Sequence, residues 1–256
     1  MTGSRLLLYD FPGSICSQMA RLALAEKGAS YDRQIVDIMD KAEQFEPWYT
    51  ALNPRAVVPT LKIGEEIVTD TINIVKRVDS DCDGPSLTPA DDAGAEAMDR
   101  MMRDIMGLHY GVLLYSRRLE PDGTAPLVAT RGRFLRAMLD MHPERAELLE
   151  RRIAGNERLL TILADPAETQ RHMDEARALV GRMNAALSEH EFVSTDRYTL
   201  ADTFATAALA RFRLHGFDTW WAGGENAHVA DYYRRVKARP SWQAAGVVDE
   251  GNERDL

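Results

Sequence analysis

Gly13-Ser14-Ile15-Cys16-Ser17-Gln18-Met19-Ala20-Arg21 stands where one periodicity gives way to another. Before it, Arg5 to Asp10 is a short apolar run that reads as a strand, turned by Phe11-Pro12-Gly13-Ser14. After it, Met19, Ala20, Ala23 and Leu24 recur at helical spacing between Cys16 and Lys27, and Gly28 follows where a C-cap belongs. Cys16 therefore falls in the first turn of a helix, where free backbone N–H groups and the positive end of the dipole favour an anion. A thiol so placed is expected to have its pKa lowered from ~8.5 into the range ~3.5–7.5. Ser14 and Ser17 are placed to cap that helix or to donate to the thiolate. Taken alone, a cysteine ahead of an apolar helix is more often a buried small hydrophobe, so the surrounding pattern has to decide.

Working outward, Tyr31 to Ile38 reads as a strand and Lys41 to Leu52 as a helix ending at Asn53-Pro54. Val57 to Ile63 and Glu66 to Thr69 are β-rich stretches joined by Gly64-Glu65, a hairpin signal. From Thr71 the spacing of Ile72, Val75 and Val78 is helical again. The order strand–helix–strand, helix, hairpin, helix implies one sheet with a parallel pair and added antiparallel strands. Ser80 to Pro89 is rich in breakers and reads as a linker. Beyond it strand signals almost vanish. Ala95 to Leu119, Pro143 to Ala164, Ala167 to His190, Leu200 to His215 and Val229 to Ala238 carry helical periodicity. The basic run Arg131 to Arg136 reads as a solvated helix face. The expected organisation is an α/β domain over residues 1–81, a linker over 82–90, an all-helical bundle over 91–248 and a solvated tail over 249–256.

The 256 residues suffice for a core without disulfides or structural metal. Only two cysteines, Cys16 and Cys82, exclude a disulfide scaffold and a four-cysteine zinc site. The net charge of −9 argues against nucleic-acid binding through phosphate neutralisation. No apolar run approaches the ~18 residues of a membrane span, and Leu6 to Tyr9 is too short for a signal-peptide core. The expectation is a cytoplasmic protein with no membrane or nucleic-acid partner. The six histidines show neither an i, i+4 pair nor a nearby carboxylate pattern, so no metal is expected.

Two further segments carry chemistry. Pro59 heads a β-rich run although it cannot donate to a ladder. A cis Val58–Pro59 bond resolves this by presenting the Val58 backbone to an extended peptide, while an edge or turn proline is the plainer reading. Thr69-Asp70-Thr71 precedes a helix and reads both as a cap and as a site for a ligand carboxylate, two compatible roles. On the first long helix, Met98, Met101, Met102, Ile105 and Met106 form a stripe that core packing usually explains. An adaptable wall for an aromatic ring is the functional alternative, with Met106, His109 and Tyr110 as the acceptor-pocket candidates.

Tyr9, Ser14-Ile15-Cys16-Ser17, Val58-Pro59-Thr60-Leu61 and Asp70-Thr71, in this order and spacing, resemble the thioredoxin-like domain of the glutathione S-transferase superfamily. Tyr198-Thr199-Leu200-Ala201-Asp202 resembles its capping motif in the helical domain. Within the superfamily, Phe45-Glu46-Pro47 and Asn73-Ile74-Val75 echo the bacterial tetrachlorohydroquinone reductive dehalogenases, and Val58 to Ile63 the zeta class. The resemblance implies glutathione as co-substrate, a small aromatic or quinoid second substrate and a homodimer. It implies Cys16 as reactive thiol, with Ser14 donating to the glutathione sulfur. It further implies Val58 and Pro59 along the cysteinyl part, and Thr71 and Asp70 at the γ-glutamyl end. Asp70 is one methylene shorter than the superfamily's more usual Glu or Gln and ranks below Thr71. The dehalogenase relatives carry their second cysteine deep in the helical domain, whereas Cys82 lies in the linker, so no Cys16–Cys82 disulfide is expected. Reductive dehalogenation, a zeta-like maleylacetoacetate or maleylpyruvate isomerisation, aryl-ether cleavage and simple conjugation all fit these parts. A non-catalytic binding protein on the same fold is the alternative of another class.

Overall fold

The computed structural model describes residues 5–251. Four strands form one sheet: β1 (Leu6–Asp10), β2 (Asp32–Ile35), β3 (Thr60–Ile63) and β4 (Glu66–Thr69). Their order is β2-β1-β3-β4, with β1 parallel to β2 and antiparallel to β3, and β3 antiparallel to β4. The register sets Leu8 opposite Leu61 and Tyr9 opposite Thr60, so one face of the sheet carries Leu8 and Leu61 into the core. The helices α1 (Ile15–Glu26), α2 (Pro47–Thr50) and α3 (Thr71–Asp81) belong to this sheet region. They are followed by α4 (Asp92–Met106), α5 (Tyr110–Ser116), α6 (Pro126–Met141), α7 (Ala146–Ala164) and α8 (Pro166–Glu189). The last four are α9 (Leu200–Leu214), α10 (Thr219–Ala222), α11 (Ala227–Lys237) and α12 (Pro240–Ala244).

The chain folds as two compact units, Met1–Met106 with Val180–Leu256, and Gly107–Leu179. In the first, α1 packs against α3, α9 and α12. Its Met19, Leu22 and Leu24 are fully buried, each stabilising the fold by roughly 1.5–3 kcal/mol relative to exposure. α9 is buried almost all round, with Leu200, Phe204, Leu209 and Phe212 inaccessible, as a central helix of a bundle must be. α4 packs against α9 and buries Met98, Met101, Met102 and Ile105, so the methionine stripe is core. The breaker-rich stretch after α3 is held in place. Lys27 donates to the Asp79 and Pro85 carbonyls and to the Asp79 carboxylate. That carboxylate in turn accepts from the Leu87 N–H and the Thr88 hydroxyl. Gly84 lies so close that a Cβ would sit 2.5 Å from the Lys27 carbonyl oxygen.

In the second unit, Val112, Val128, Leu159 and Leu163 form the core. α6 and α7 approach closely because residue 132 is glycine: a Cβ there would meet Asn156 Nδ2 at 2.8 Å, the atom that donates to the Val128 carbonyl. Arg131, Arg133 and Arg136 are exposed on α6.

Three expectations are corrected. The helix expected over 41–52 is a single 3-10 turn and the four-residue α2, because Pro47 removes a backbone donor and sets a new N-terminus. The helix expected over 95–119 ends at Met106 and restarts at Tyr110, broken at Gly107-Leu108. The start of the expected solvated tail is anchored: Asp249 is 8% exposed and accepts from the Tyr233 hydroxyl at 2.6 Å and from Lys237 at 2.5 Å. Residues 252–256 of that tail lie outside the described residues.

Candidate active site

Ser14 has extended backbone and caps α1, its Oγ accepting from the Ser17 N–H at 3.3 Å. Cys16 is thus the second residue of the helix, in its first turn. Ser17 is fully buried, and its Oγ accepts from the Phe11 N–H, tying the start of the helix to the end of β1. The loop between β1 and α1 is fixed from outside by charge. Arg21 and Asp10 are buried and paired, and Arg33 adds two further bonds to the same carboxylate at 3.1 and 3.0 Å.

The thiol differs from expectation. Cys16 is half-buried as a residue, yet its pKa is raised above the ordinary thiol value, chiefly by burial of the sulfur. A side-chain hydrogen bond with Thr71 works against that rise, the Asp70 charge adds to it, and Arg211 and Arg55 oppose it. The helix N-terminus is present as the sequence implies, but burial of the sulfur dominates the influences that set the thiol. At rest Cys16 is therefore a protonated thiol rather than a standing thiolate.

The Val58–Pro59 peptide bond is cis. Among the described residues neither the N–H nor the C=O of Val58 has a hydrogen-bond partner. The flanking backbone is firmly held. The Val57 carbonyl accepts from the Tyr49 hydroxyl at 2.6 Å and from Asn53 Nδ2 at 2.9 Å, and both side chains also bond the Thr60 hydroxyl. Burial pushes the Tyr49 phenol up to about 12, so it stays a donor. The backbone of Val58 thus carries an N–H and a C=O without a partner among the described residues, beside a loop held by side-chain bonds.

Asp70 caps α3, accepting from the N–H groups of Ile72 and Asn73 at 3.0 and 3.4 Å, and pairs with Arg55 at 3.4 Å. Its φ of +74° is an uncommon conformation for a residue with a side chain. Thr71, the first residue of α3, is buried, and its side chain works to lower the Cys16 pKa. Cys16, Ser14, Thr71 and Asp70 are thus gathered at two helix N-termini. Of the acceptor-pocket candidates, Met106 is the half-buried last residue of α4 in the first unit. His109 and Tyr110 belong to the second unit, where His109 caps α5 by accepting from the Val112 N–H. The His109 ring lies 5.2 Å from His172, and burial first, then His172, lowers its pKa. Tyr9 is a packed ring beside Tyr49 and Trp48.

Residues 13–81 match the family model described as glutathione S-transferase, N-terminal domain. The tetrachloro-p-hydroquinone reductive dehalogenase of Sphingobium chlorophenolicum is 31% identical over 251 residues, spanning 94% of this chain and 95% of that protein. The chain belongs to the glutathione S-transferase family. It is accordingly an enzyme with glutathione as co-substrate, and its fold is the family's thioredoxin-like domain followed by a helical domain. The zeta-class likeness is confined to part of the chain: a zeta-class glutathione S-transferase of Euphorbia esula is 34% identical over 87 residues, 34% of this chain and 38% of that protein. Among solved structures, a glutathione S-transferase domain-containing protein of Marinobacter aquaeolei superposes with a TM-score of 0.65 at 26% identity, covering 92% of this chain and 98% of that one. No helix among the described residues is long and apolar enough to cross a membrane.

Arg211 and Arg55 were not among the residues the sequence singles out. Arg55 lies between Asn53-Pro54 and the Val58-Pro59 motif without a pattern to mark it. Arg211 lies on a helix far along the chain, and nothing local signals that it comes near Cys16.

Proposed function

We propose that this glutathione S-transferase carries out reductive dehalogenation of a chlorinated hydroquinone, with Cys16 as the group that removes glutathione from the ring. The observation that carries the reading is the placement of Cys16 in the first turn of α1, where Ser14 caps the helix. The 31%-identical relative named for tetrachlorohydroquinone supports the substrate class. Glutathione lies extended along Val58 and Pro59, with its γ-glutamyl end at Thr71 and Asp70. The Ser14 Oγ accepts from the Ser17 N–H, which leaves its own proton to donate to the glutathione sulfur. Met106, in the same unit as Cys16, is the acceptor-side candidate.

Three steps balance the chemistry. Glutathione thiolate attacks the ring in its keto form, a C–S bond forms and chloride leaves. Cys16, deprotonated, then attacks the glutathionyl sulfur. The S–S bond forms, the C–S bond breaks, and its electron pair stays on the ring carbon, which takes up a proton. A second glutathione attacks the mixed disulfide, releasing glutathione disulfide and the Cys16 thiol. Two glutathiones supply the two electrons. The raised pKa fits a thiol that meets electrophilic rings at every turnover: it limits thiolate at rest, while the thiolate formed is the more nucleophilic for it.

With tetrachlorohydroquinone and glutathione, the wild type should yield one glutathione disulfide per chloride lost, with Cys16 found glutathionylated by peptide mass spectrometry. Cys16→Ser should release chloride but stop at the ring–glutathione adduct. Dechlorinated product from Cys16→Ser at the wild-type rate would overturn the reading, and turnover of a cis-enedione without disulfide would point to an isomerase.

A further inference from the structure

The carbonyls of three successive residues in the loop before Cys16 each accept from a side chain. Phe11 and Pro12 bond Arg21, at 3.5 and 3.0 Å, and Pro12 also takes Gln18 Nε2 at 3.4 Å. The Gly13 carbonyl accepts from Arg211 Nη2 of α9. Arg21 belongs to the same helix as Cys16, so its bonds brace α1 against its own loop. Arg211 is different, reaching in from 198 positions along the chain, on a helix packed along α1.

We infer that Arg211 is a positioning residue for Cys16: its guanidinium fixes the Gly13 carbonyl at the mouth of α1 and keeps a positive charge beside the sulfur. The inference rests on the reading of Cys16 as the thiol that lifts glutathione from the ring. A guanidinium suits both tasks, since it cannot be deprotonated and its planar fork donates in fixed directions. The groups whose charge or bonding reaches the sulfur are Thr71 and Asp70 of α3, Arg55 before β3, and Arg211 of α9. Asp70 opposes the thiolate, and Arg55 is itself paired with Asp70. Arg211 is the larger of the two cationic influences and the one anchored to the loop that carries Ser14. It supports the second chemical step, where Cys16 must become a thiolate.

The test measures the alkylation rate of Cys16 against pH by peptide mass spectrometry, without glutathione or substrate, in wild type, Arg211→Gln, Arg211→Lys and Arg213→Gln. Arg213 lies on the same helix but pairs with Asp249 and Glu250. Arg211→Gln should move the profile up by roughly half to one pH unit, a three- to tenfold loss of rate near neutrality. Arg211→Lys should recover much of that loss, and Arg213→Gln should match wild type. In turnover, Arg211→Gln should accumulate ring–glutathione adduct with an unchanged KM for glutathione. A profile for Arg211→Gln that superposes on wild type overturns the inference, as does an equal shift in Arg213→Gln. If the glutamine variant fails to fold, Arg211→Lys still decides the matter: loss of the planar fork should leave a small upward shift, and a lysine profile that superposes on wild type would count against positioning through the Gly13 carbonyl. Full turnover by Cys16→Ser would defeat the proposed function yet leave the alkylation profile to report on Arg211, so the two fall separately.

Discussion

Arg21→Met should lower the free energy of unfolding by about 3–5 kcal/mol, because it strands a buried carboxylate. Asp10 is fully buried and Arg21 is 2% exposed, and the guanidinium uses both its faces. Beyond Asp10 it donates to the Ala245 carbonyl at 2.6 Å and the Pro12 carbonyl at 3.0 Å. Removing it leaves Asp10 with Arg33 alone, whose side chain is 39% exposed and therefore weakly compensating. Desolvation makes a buried pair costly to form but costlier to break, so the cycle is informative. Asp10→Leu combined with Arg21→Met should recover about 1–3 kcal/mol relative to the sum of the single changes. Denaturant unfolding of the four proteins measures this. A single-mutant loss under about 1 kcal/mol would show that water or Arg33 already satisfies Asp10, and the pair would then be a surface bridge in energetic terms.

How far the sequence speaks for itself depends on the range of the interaction. The first turn around Cys16, the Gly64-Glu65 hairpin and the Asp70 cap were legible, since turns and caps are set by residues within four positions. The Thr199–Asp202 pairing was legible for the same reason. The helix expected over 41–52 failed because Pro47 divides it and the remaining apolar residues, Phe45 and Tyr49, are buried at two different short turns. The thiol pKa failed for a deeper reason. A helix N-terminus can be read from spacing, but desolvation comes from whatever packs against the sulfur. The groups that oppose it are equally remote: Thr71 lies 55 positions on (Thr71 less Cys16), and Arg211 much farther along. The second cation on Asp10 was not legible either: only the parallel pairing of β1 with β2 sets Arg33 beside Asp10.

Asp202→Ala should cost about 4–5 kcal/mol, at the upper end for single substitutions. The carboxylate is fully buried and accepts four bonds: from the Thr199 N–H at 2.8 Å, its hydroxyl at 2.9 Å, the Val193 N–H at 3.1 Å and the Tyr232 hydroxyl at 2.9 Å. Alanine leaves the Thr199 and Val193 N–H groups and the Tyr232 hydroxyl inside the core without this acceptor. Asp202→Asn keeps one acceptor but turns an amide N–H toward the Thr199 N–H, for a loss of about 1–3 kcal/mol. The two variants also separate in pH. Burial outweighs the four bonds and raises the Asp202 pKa to about 6. The unfolded carboxyl loses its proton near ~3.9, so between those values the folded chain holds a proton the unfolded one has lost. Stability from this group is therefore greatest in acid and declines as the pH rises through about 6. Asparagine has no such titration. The stability gap between wild type and Asp202→Asn should accordingly be wider at about pH 5 than at about pH 7.5, by about 1 kcal/mol. Parallel unfolding free energies across that range would mean the buried carboxylate stays charged throughout. The consequence reaches the active site, because Asp202 fixes the first turn of α9 and Arg211 rides on the same helix nine residues later: a loosened cap should carry the Cys16 alkylation profile part of the way toward that of Arg211→Gln.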